Sequence, residues 1–258
     1  MKPAERHRTI LDMVRTRDTN VEELSAALGA SEATVRRDLT LLARQRLLVR
    51  THGGATALIG VHEPEASLEE RKSARRDEKD AIAKAAALHI QDGDTIFLDS
   101  GTSCVALAMH LYSHQDIHVV TNNLLVVMAL ANVPGARLTL IGGELRESSM
   151  STLGPLAELS LSRLSVDRAF FGADGVVAGF GLCEASAQQA YLKECVIRRA
   201  AEVFVLADSE KLGRARQQHW TPLEREWRLI TSSRDEVELQ PFREMDMVTV
   251  ETVVVSPA

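Results

Sequence analysis

Apolar positions recur with a helical period through the first forty-odd residues, and the phase is reset twice. From Pro3 to Arg17, Ile10, Leu11, Met13 and Val14 gather on one helical face, and the proline sits in the first turn, where its missing N–H is harmless. Asp18-Thr19-Asn20 breaks this pattern. Val21, Leu24 and Leu28 then return to helical phase, with Asn20 as the expected cap and Gly29 as the residue that ends the helix. Ser31 opens a third helix running to about Gln45, in which Val35, Leu39 and Leu42 face inward. Leu47–Arg50 and Ala55–Leu58 read as short strands around His52-Gly53-Gly54, a β-hairpin.

Residues 59–79 lose this periodicity and are dense in charge, so they predict an exposed connector with a short helix after Ser67. The chain thereby divides into residues 1–58, a linker over 59–79, and residues 80–258. The last part begins with an Ala-rich helix over 80–89. Apolar runs follow at Thr95–Leu98, Ile117–Thr121, Arg137–Ile141, Arg168–Phe171, Val203–Ala207, Leu229–Thr231 and Val248–Val254. Short, continuously apolar strands separated by helix-length segments predict an α/β domain whose mostly parallel sheet is covered on both faces.

Charge sharpens the division. Residues 1–56 carry a net +3 and the remainder a net −9, so only the head is suited to approach a polyanion. Apolar residues make up 45% and charged residues 26% of the chain, which fits a packed core and excludes global disorder. No apolar run approaches the roughly 18 residues of a membrane span. Three cysteines without a CxxC pair point to a reducing cytoplasm and away from disulfides or zinc. No metal and no cofactor are expected.

Two surfaces carry candidate chemistry. On the third helix the phase leaves Glu32, Ala33, Arg36, Arg37 and Thr40 outward and Thr34 at the edge; paired guanidinium groups suit guanine edges and phosphates. In parallel sheets, ligands bind beyond the carboxyl ends of the strands. There the chain has Asp99-Ser100-Gly101-Thr102-Ser103, then Thr121-Asn122-Asn123, Gly142-Gly143, Gly172-Ala173-Asp174-Gly175 and Asp208-Ser209-Glu210-Lys211. A glycine and three hydroxyls at a strand-to-helix turn make an anion cradle. The loop has neither a Walker lysine nor GxGxxG spacing, so nucleotide hydrolysis and a dinucleotide fold are not indicated.

Thr34-Val35-Arg36-Arg37-Asp38-Leu39 together with Arg50-Thr51-His52-Gly53-Gly54-Ala55 resembles the DeoR-type winged-helix regulators. The resemblance implies double-stranded DNA as partner, with Ser31, Glu32, Thr34, Arg36, Arg37, Thr40 and the wing residues Arg50, His52 and Gly53 at the interface. The rest of the chain resembles the sensor domain of the same family, a relative of the sugar-phosphate isomerase folds. That implies a phosphorylated sugar or sugar-acid effector, with Ser100, Gly101, Thr102 and Ser103 around the phosphate, and with Asp174, Lys193 and Lys211 near the sugar. Asp99, Asn122 and Gly143 complete the expected site. The expected function is repression of a sugar or sugar-acid catabolic operon, relieved by the effector, in a homo-oligomer. The alternative is an isomerase-like enzyme with a DNA-binding head. Against it, Gln188-Gln189-Ala190 stands where the family has an acidic pair, and Phe171 breaks the isomerase motif Asp-Gly-Ala-Asp-Glu. A glutamine cannot move a proton between carbons.

Overall fold

The computed structural model describes residues 2–16, 19–45, 47–51, 54–57 and 64–255. Its N-terminal unit comprises α1 (Pro3–Thr16), β1 (Thr19–Asn20), α2 (Val21–Leu28), α3 (Glu32–Arg44), β2 (Leu48–Thr51) and β3 (Gly54–Ala57). Each helix has one apolar stripe, and the stripes cover one another: Ile10, Val14, Leu24, Val35, Leu39 and Leu42 are buried together. Asn20 caps α2 by accepting from the Glu23 N–H at 2.8 Å, and Gly29 ends it at φ +60°. Ser31 accepts from the Thr34 N–H at the start of α3. Thr19–Asn20 is more than the helix break read from sequence. It pairs with β3, which lies between β1 and β2. Gly54 permits this pairing, because a Cβ there would stand 2.1 Å from the Thr19 carbonyl oxygen.

A polar pair adds to the apolar seam. Asp38, on the inner side of α3, is buried and accepts from Arg6 Nε at 2.6 Å and from His7 Nε2 at 3.0 Å. Burial pushes its carboxyl up, but the hydrogen bonds from His7 and Arg6 outweigh that and hold the pKa below its ordinary value.

The connector is less exposed than its composition predicts. α4 (Leu68–Ser73) is closed by a capping box between Ser67 and Glu70. α5 (Arg76–Ala87) starts ahead of the expected Asp80, and Lys79 is buried. The Lys79 ammonium donates to the Arg71 carbonyl at 2.8 Å and to that of Ala74. It thus satisfies the free carbonyls at the end of α4, where a positive charge is favoured.

The remaining elements run β4 (Thr95–Leu98), α6 (Thr102–Ala108), β5 (His118–Thr121), α7 (Leu124–Leu130) and β6 (Arg137–Leu140). Next come β7 (Glu144–Arg146), β8 (Ser151–Leu153), α8 (Pro155–Leu161), β9 (Val166–Phe171), β10 (Gly175–Val177) and β11 (Gly181–Glu184). α9 (Ala187–Ile197), β12 (Ala200–Ala207), β13 (His219–Thr221), β14 (Trp227–Thr231), α10 (Glu236–Arg243) and β15 (Val248–Thr252) complete the chain. Seven strands form a wholly parallel sheet in the order β15-β14-β12-β9-β4-β5-β6. Successive side chains alternate between its faces. Ile96, Leu98, Phe170 and Phe204 pack with residues of α5, α6 and α7, and Phe97, Phe171 and Val205 with residues of α8, α9 and α10.

The chain builds outward from β4 to β6, crosses back, and resumes at β9 on the other side of β4. The β4–β9 seam is therefore the topological switch point, where ligands bind in open α/β sheets. Two features escape the periodicity: the antiparallel sheet β10-β11-β13 and the hairpin β7–β8. Their strands, of three or four residues each, are too short to register as apolar runs. Among the described residues no helix is long and apolar enough to cross a membrane.

Because the native Asp38 carboxyl titrates below its unfolded counterpart, its contribution is complete above about pH 4 and is lost as pH falls through the native value. Asp38→Asn is expected to weaken hydrogen-exchange protection of α1 and α3 at pH 7 and to flatten its loss below pH 4. Parallel acid profiles for wild type and variant would remove the pair as a determinant of head stability.

Candidate functional site

The outer face of α3 is as the phase predicts. Ser31, Glu32, Ala33, Arg36, Arg37 and Thr40 are exposed, and Thr34 is half-buried. Arg36 donates to Glu32 one turn earlier at 2.8 Å, and the Thr40 hydroxyl to the Arg36 carbonyl at 2.7 Å. No ion pair engages Arg37 among the described residues, so its guanidinium is the less committed of the two. Arg50 lies on β2; its side chain, and His52 and Gly53, fall outside the described residues.

The second constellation sits at the switch point. Lys193, on α9, is 1% exposed. Its ammonium donates to Asp99 at the end of β4 and to the Gly172 carbonyl after β9 at 2.6 Å, and lies 3.0 Å from Glu184 Oε1 at the end of β11. Burial works against the lysine's charge, but the two carboxylates outweigh it and raise its pKa. Burial also raises Asp99, against the pull of Lys193. Glu184 is pushed up to about 7, by burial first and by Asp174 and Asp99 nearby, with Lys193 opposing.

Around this cluster several polar atoms are buried without a hydrogen-bond partner among the described residues: Ser103 Oγ, Asn122 Oδ1, Gln189 Oε1 and Glu184 Oε1. Lys193 is near Glu184 Oε1 as an ion pair, yet no well-aligned hydrogen bond reaches that oxygen. Gln189 lies one helical turn before Lys193 and so shares its face. Asn123, beside Asn122, donates to the Asp99 and Gly101 carbonyls at 3.4 Å each, which ties the end of β5 to the 99–103 loop.

Of the expected effector residues, Asp99, Ser100, Ser103, Asn122 and Lys193 are buried at these adjoining strand ends. Gly101 leads into α6 at φ +132°. Thr102 donates to the Arg71 carbonyl at 3.3 Å. Asp174 is half-buried, and Lys211 donates to the Ala173 carbonyl at 2.5 Å. Gly143 is exposed and packs backbone to backbone: a Cβ there would meet the Leu153 carbonyl oxygen at 2.4 Å. It is not brought into the cluster. Cys104 is buried and its thiol pushed up to about 12, by burial first and then by Asp99, so it is inert at neutral pH.

Glu184 and Gln189 are the residues that sequence reasoning missed. Gln189 stood only for a missing carboxylate. Glu184 ends the apolar run Gly181-Leu182-Cys183, a strand end of the kind inspected elsewhere, but that run was too short to register. His110, His114 and His118 recur at every fourth position, a spacing that suits a metal only on one helix. α6 ends at Ala108 and His118 is already in β5. No group of three metal-ligating residues occurs among the described residues.

Residues 6–59 match the DeoR-like helix-turn-helix domain and residues 74–233 the DeoR C-terminal sensor domain. The chain belongs to the DeoR family. Its relatives include an HTH-type transcriptional regulator of Bacillus subtilis, 36% identical over 90% of each chain. The glycerol-3-phosphate regulon repressor of Escherichia coli is 33% identical over 83% of this chain and 84% of its own. The lactose phosphotransferase system repressor of Streptococcus mutans is 35% identical over 93% and 96%. Among solved structures, ribose 5-phosphate isomerase A of Methanocaldococcus jannaschii is similar at 20% identity and TM-score 0.40, over 55% of this chain and 56% of its own. This DeoR-family protein is a DNA-binding transcriptional regulator with a C-terminal sensor domain, and its family and relatives are regulators and not enzymes.

Glu184 carries its own prediction. A carboxyl whose native pKa is raised from about 4.3 to about 7 costs stability as pH rises through that window, because the unfolded chain ionises first. Urea midpoints of wild type should fall between pH 5 and pH 8, and Glu184→Gln should lessen that fall. An unchanged fall in the variant would mean that another group is responsible.

Proposed function

We propose that this protein represses a carbohydrate operon as a homo-oligomer, reading operator DNA with α3, and that a phosphorylated sugar bound at the β4–β9 seam relieves repression. The DNA surface in this reading is Ser31, Glu32, Thr34, Arg36, Arg37 and Thr40, with Arg50, His52 and Gly53 on the wing. A single helix spans one half-site, which calls for at least two heads about one turn of DNA apart. The functional division of the chain falls between Ala57, where the head's last strand ends, and Arg76, where the sensor's first packed helix begins.

One observation carries the effector reading: the unpartnered buried groups at the strand ends are short of donors. Asn122 Oδ1 and Gln189 Oε1 accept hydrogen bonds, and the Ser103 hydroxyl can do either; none has a partner among the described residues. Each unmet group costs about 1–3 kcal/mol, and sugar hydroxyls are the donors that satisfy such a set. The buried ammonium of Lys193 is already committed to Asp99, the Gly172 carbonyl and Glu184, so it has no free charge for a ligand carboxylate. This favours a neutral sugar or polyol phosphate over a phosphorylated sugar acid. Asp99, Ser100, Gly101, Thr102 and Ser103 face the phosphate end in this reading, with Asn122, Asp174, Lys193 and Lys211 toward the hydroxyls. Gly143 serves the backbone fold. The names of the relatives, which concern glycerol 3-phosphate and a lactose phosphotransferase system, support a phosphorylated carbohydrate.

Arg37→Ala is expected to lower operator affinity by about 1–3 kcal/mol while leaving non-specific DNA binding nearly unchanged, the signature of a base contact. Arg36→Ala should do less, since Glu32 already engages its guanidinium. Retained operator preference in both variants would move recognition off this face.

A thermal-shift series of sugar phosphates, polyol phosphates and phosphorylated sugar acids tests the effector. A ligand at 100 times its Kd should stabilise by about 2.7 kcal/mol, and the neutral-ended compounds should dominate. Ser103→Ala removes one charge-assisted donor worth roughly 1.5–3 kcal/mol, so effector affinity should fall about ten- to a hundredfold with operator binding intact. Equal ligand response in wild type and Ser103→Ala would take the 99–103 loop out of the site.

A further inference from the structure

Beside the 99–103 loop, a carboxylate is held by two guanidinium groups. Glu65, in the segment that joins the head to α4, lies 3.2 Å from Arg71 Nη1 and accepts from Arg146 Nη1 at 3.1 Å and from Arg146 Nη2. The Ser148 hydroxyl donates to it at 3.3 Å. The side chains of Glu65, Arg71 and Arg146 are only 13%, 19% and 21% exposed. Arg71 donates to the Ser148 carbonyl, and its Nε is buried with no hydrogen-bond partner among the described residues.

This cluster connects directly to the loop. Thr102 donates to the Arg71 carbonyl at 3.3 Å. Arg146 donates to the Ser149 hydroxyl at 3.1 Å, which lies 2.7 Å from that of Ser151. Ser151 bridges to Asn123, whose amide donates to the Gly101 carbonyl. Two guanidinium groups against one carboxylate leave a positive excess, and guanidinium forks match phosphate geometry bidentately. A phosphate monoester carries about −1.5 to −2 charges near neutral pH and three acceptor oxygens, so it fits this pair better than a single carboxylate does.

We propose that Arg71 and Arg146 are the cationic half of the effector's phosphate subsite, which Glu65 occupies until phosphate displaces it, unlatching the segment that leads to the DNA-binding head. The proposal rests on the strand-end site being the phosphate sensor, and it adds two ligands and an internal competitor that neither composition nor family pattern indicates. It also gives the coupling a direction: the ligand removes a tether between the sensor and the segment that follows β3.

The test uses the full chain, with inorganic phosphate as probe in chloride buffer at constant ionic strength. Glu65→Gln removes the competitor and should tighten phosphate binding about tenfold. Arg146→Gln should weaken it by tenfold or more. Should Arg146→Gln fail to fold, Arg146→Lys keeps the charge, loses the fork, and should weaken binding several-fold. Hydrogen exchange of residues 64–73 should rise on adding phosphate to wild type, and should already be high in Glu65→Gln. A merely structural ion pair would shift both variants' affinity in the same direction or in neither, and that result overturns the proposal, as does a Glu65→Gln protein that ignores phosphate. If sugar phosphates still stabilise wild type and Ser103→Ala still weakens them, the latch falls while the sensor reading stands. If no phosphorylated compound acts on any variant, both fall.

Discussion

The buried ammonium of Lys193 is the constraint on which the sensor depends. Taking one ammonium and two carboxylates out of water costs several kcal/mol per ion, and their attraction offsets this only with good geometry and additional hydrogen bonds. Here Asp99 follows β4, Gly172 follows β9, Glu184 ends β11, and the lysine comes from α9. Four elements, β4 and the later β9, β11 and α9, are therefore held at one point, the seam where the sheet reverses its direction of growth. Loss of the lysine would leave two buried carboxyls facing each other. Loss of either carboxyl still leaves the lysine a partner. The asymmetry makes Lys193 the organising group, although a salt bridge of this kind is weak evidence for stability as such.

The reach of sequence reasoning follows from what each signal measures. The seven strands of the sheet were legible because a strand covered on both faces has to be continuously apolar, as Val119-Val120 and Val203–Ala207 are. The three head helices were legible because a small bundle needs one stripe per helix, and caps such as Asn20 and Ser31 are local chemistry. β10, β11 and β13 were not, since strands of three or four residues are too short to carry a period. The buried ion pairs were not either. Asp38 entered only as part of a motif, and Glu65, Arg71 and Lys79 lay in a stretch read as an exposed connector. Pairing partners such as Arg146 come from elsewhere in the chain, and composition cannot reveal a contact that only tertiary structure creates.

Glu184 illustrates the same point within the site. Gln188 and Gln189 appeared to leave the family's acidic position empty. The fold brings a carboxyl to the cluster from another strand, yet burial and the neighbouring Asp174 and Asp99 push it up to about 7. At neutral pH it is shared between an acid and a carboxylate, suited to accept or donate to a hydroxyl, and it faces an ammonium already held by Asp99. Whether a polar cluster reads as absent or present thus depends on topology more than on any one motif position.

The sensor and the head are joined by more than the connector. The hairpin β10–β11 is rooted at the β4–β9 seam, where the Asp174 N–H bonds the Cys183 carbonyl and Glu184 follows directly. Its far turn carries Phe180, which packs against the apolar cluster of the head, and Gly179, whose Cβ position would lie 3.8 Å from the Ala4 carbonyl. The loop after β12 behaves alike: Lys211 bonds the Ala173 carbonyl, Gly213 bonds that of Val176, and Gly213 packs on Gln45 at the end of α3. Both ends of the head therefore rest on elements whose other ends frame the seam. Close-packed interfaces of this kind shift between discrete arrangements and do not deform continuously. Anything that moves Glu184 or Lys211 by a fraction of an ångström must either be absorbed in three short strands or be passed to α3. The hydrogen bonds from Asp174 to Cys183 and from Gly213 to Val176 brace those strands against absorbing it; if α3 is the reading helix proposed above, linkage requires DNA on it to act back on the seam with the same free energy.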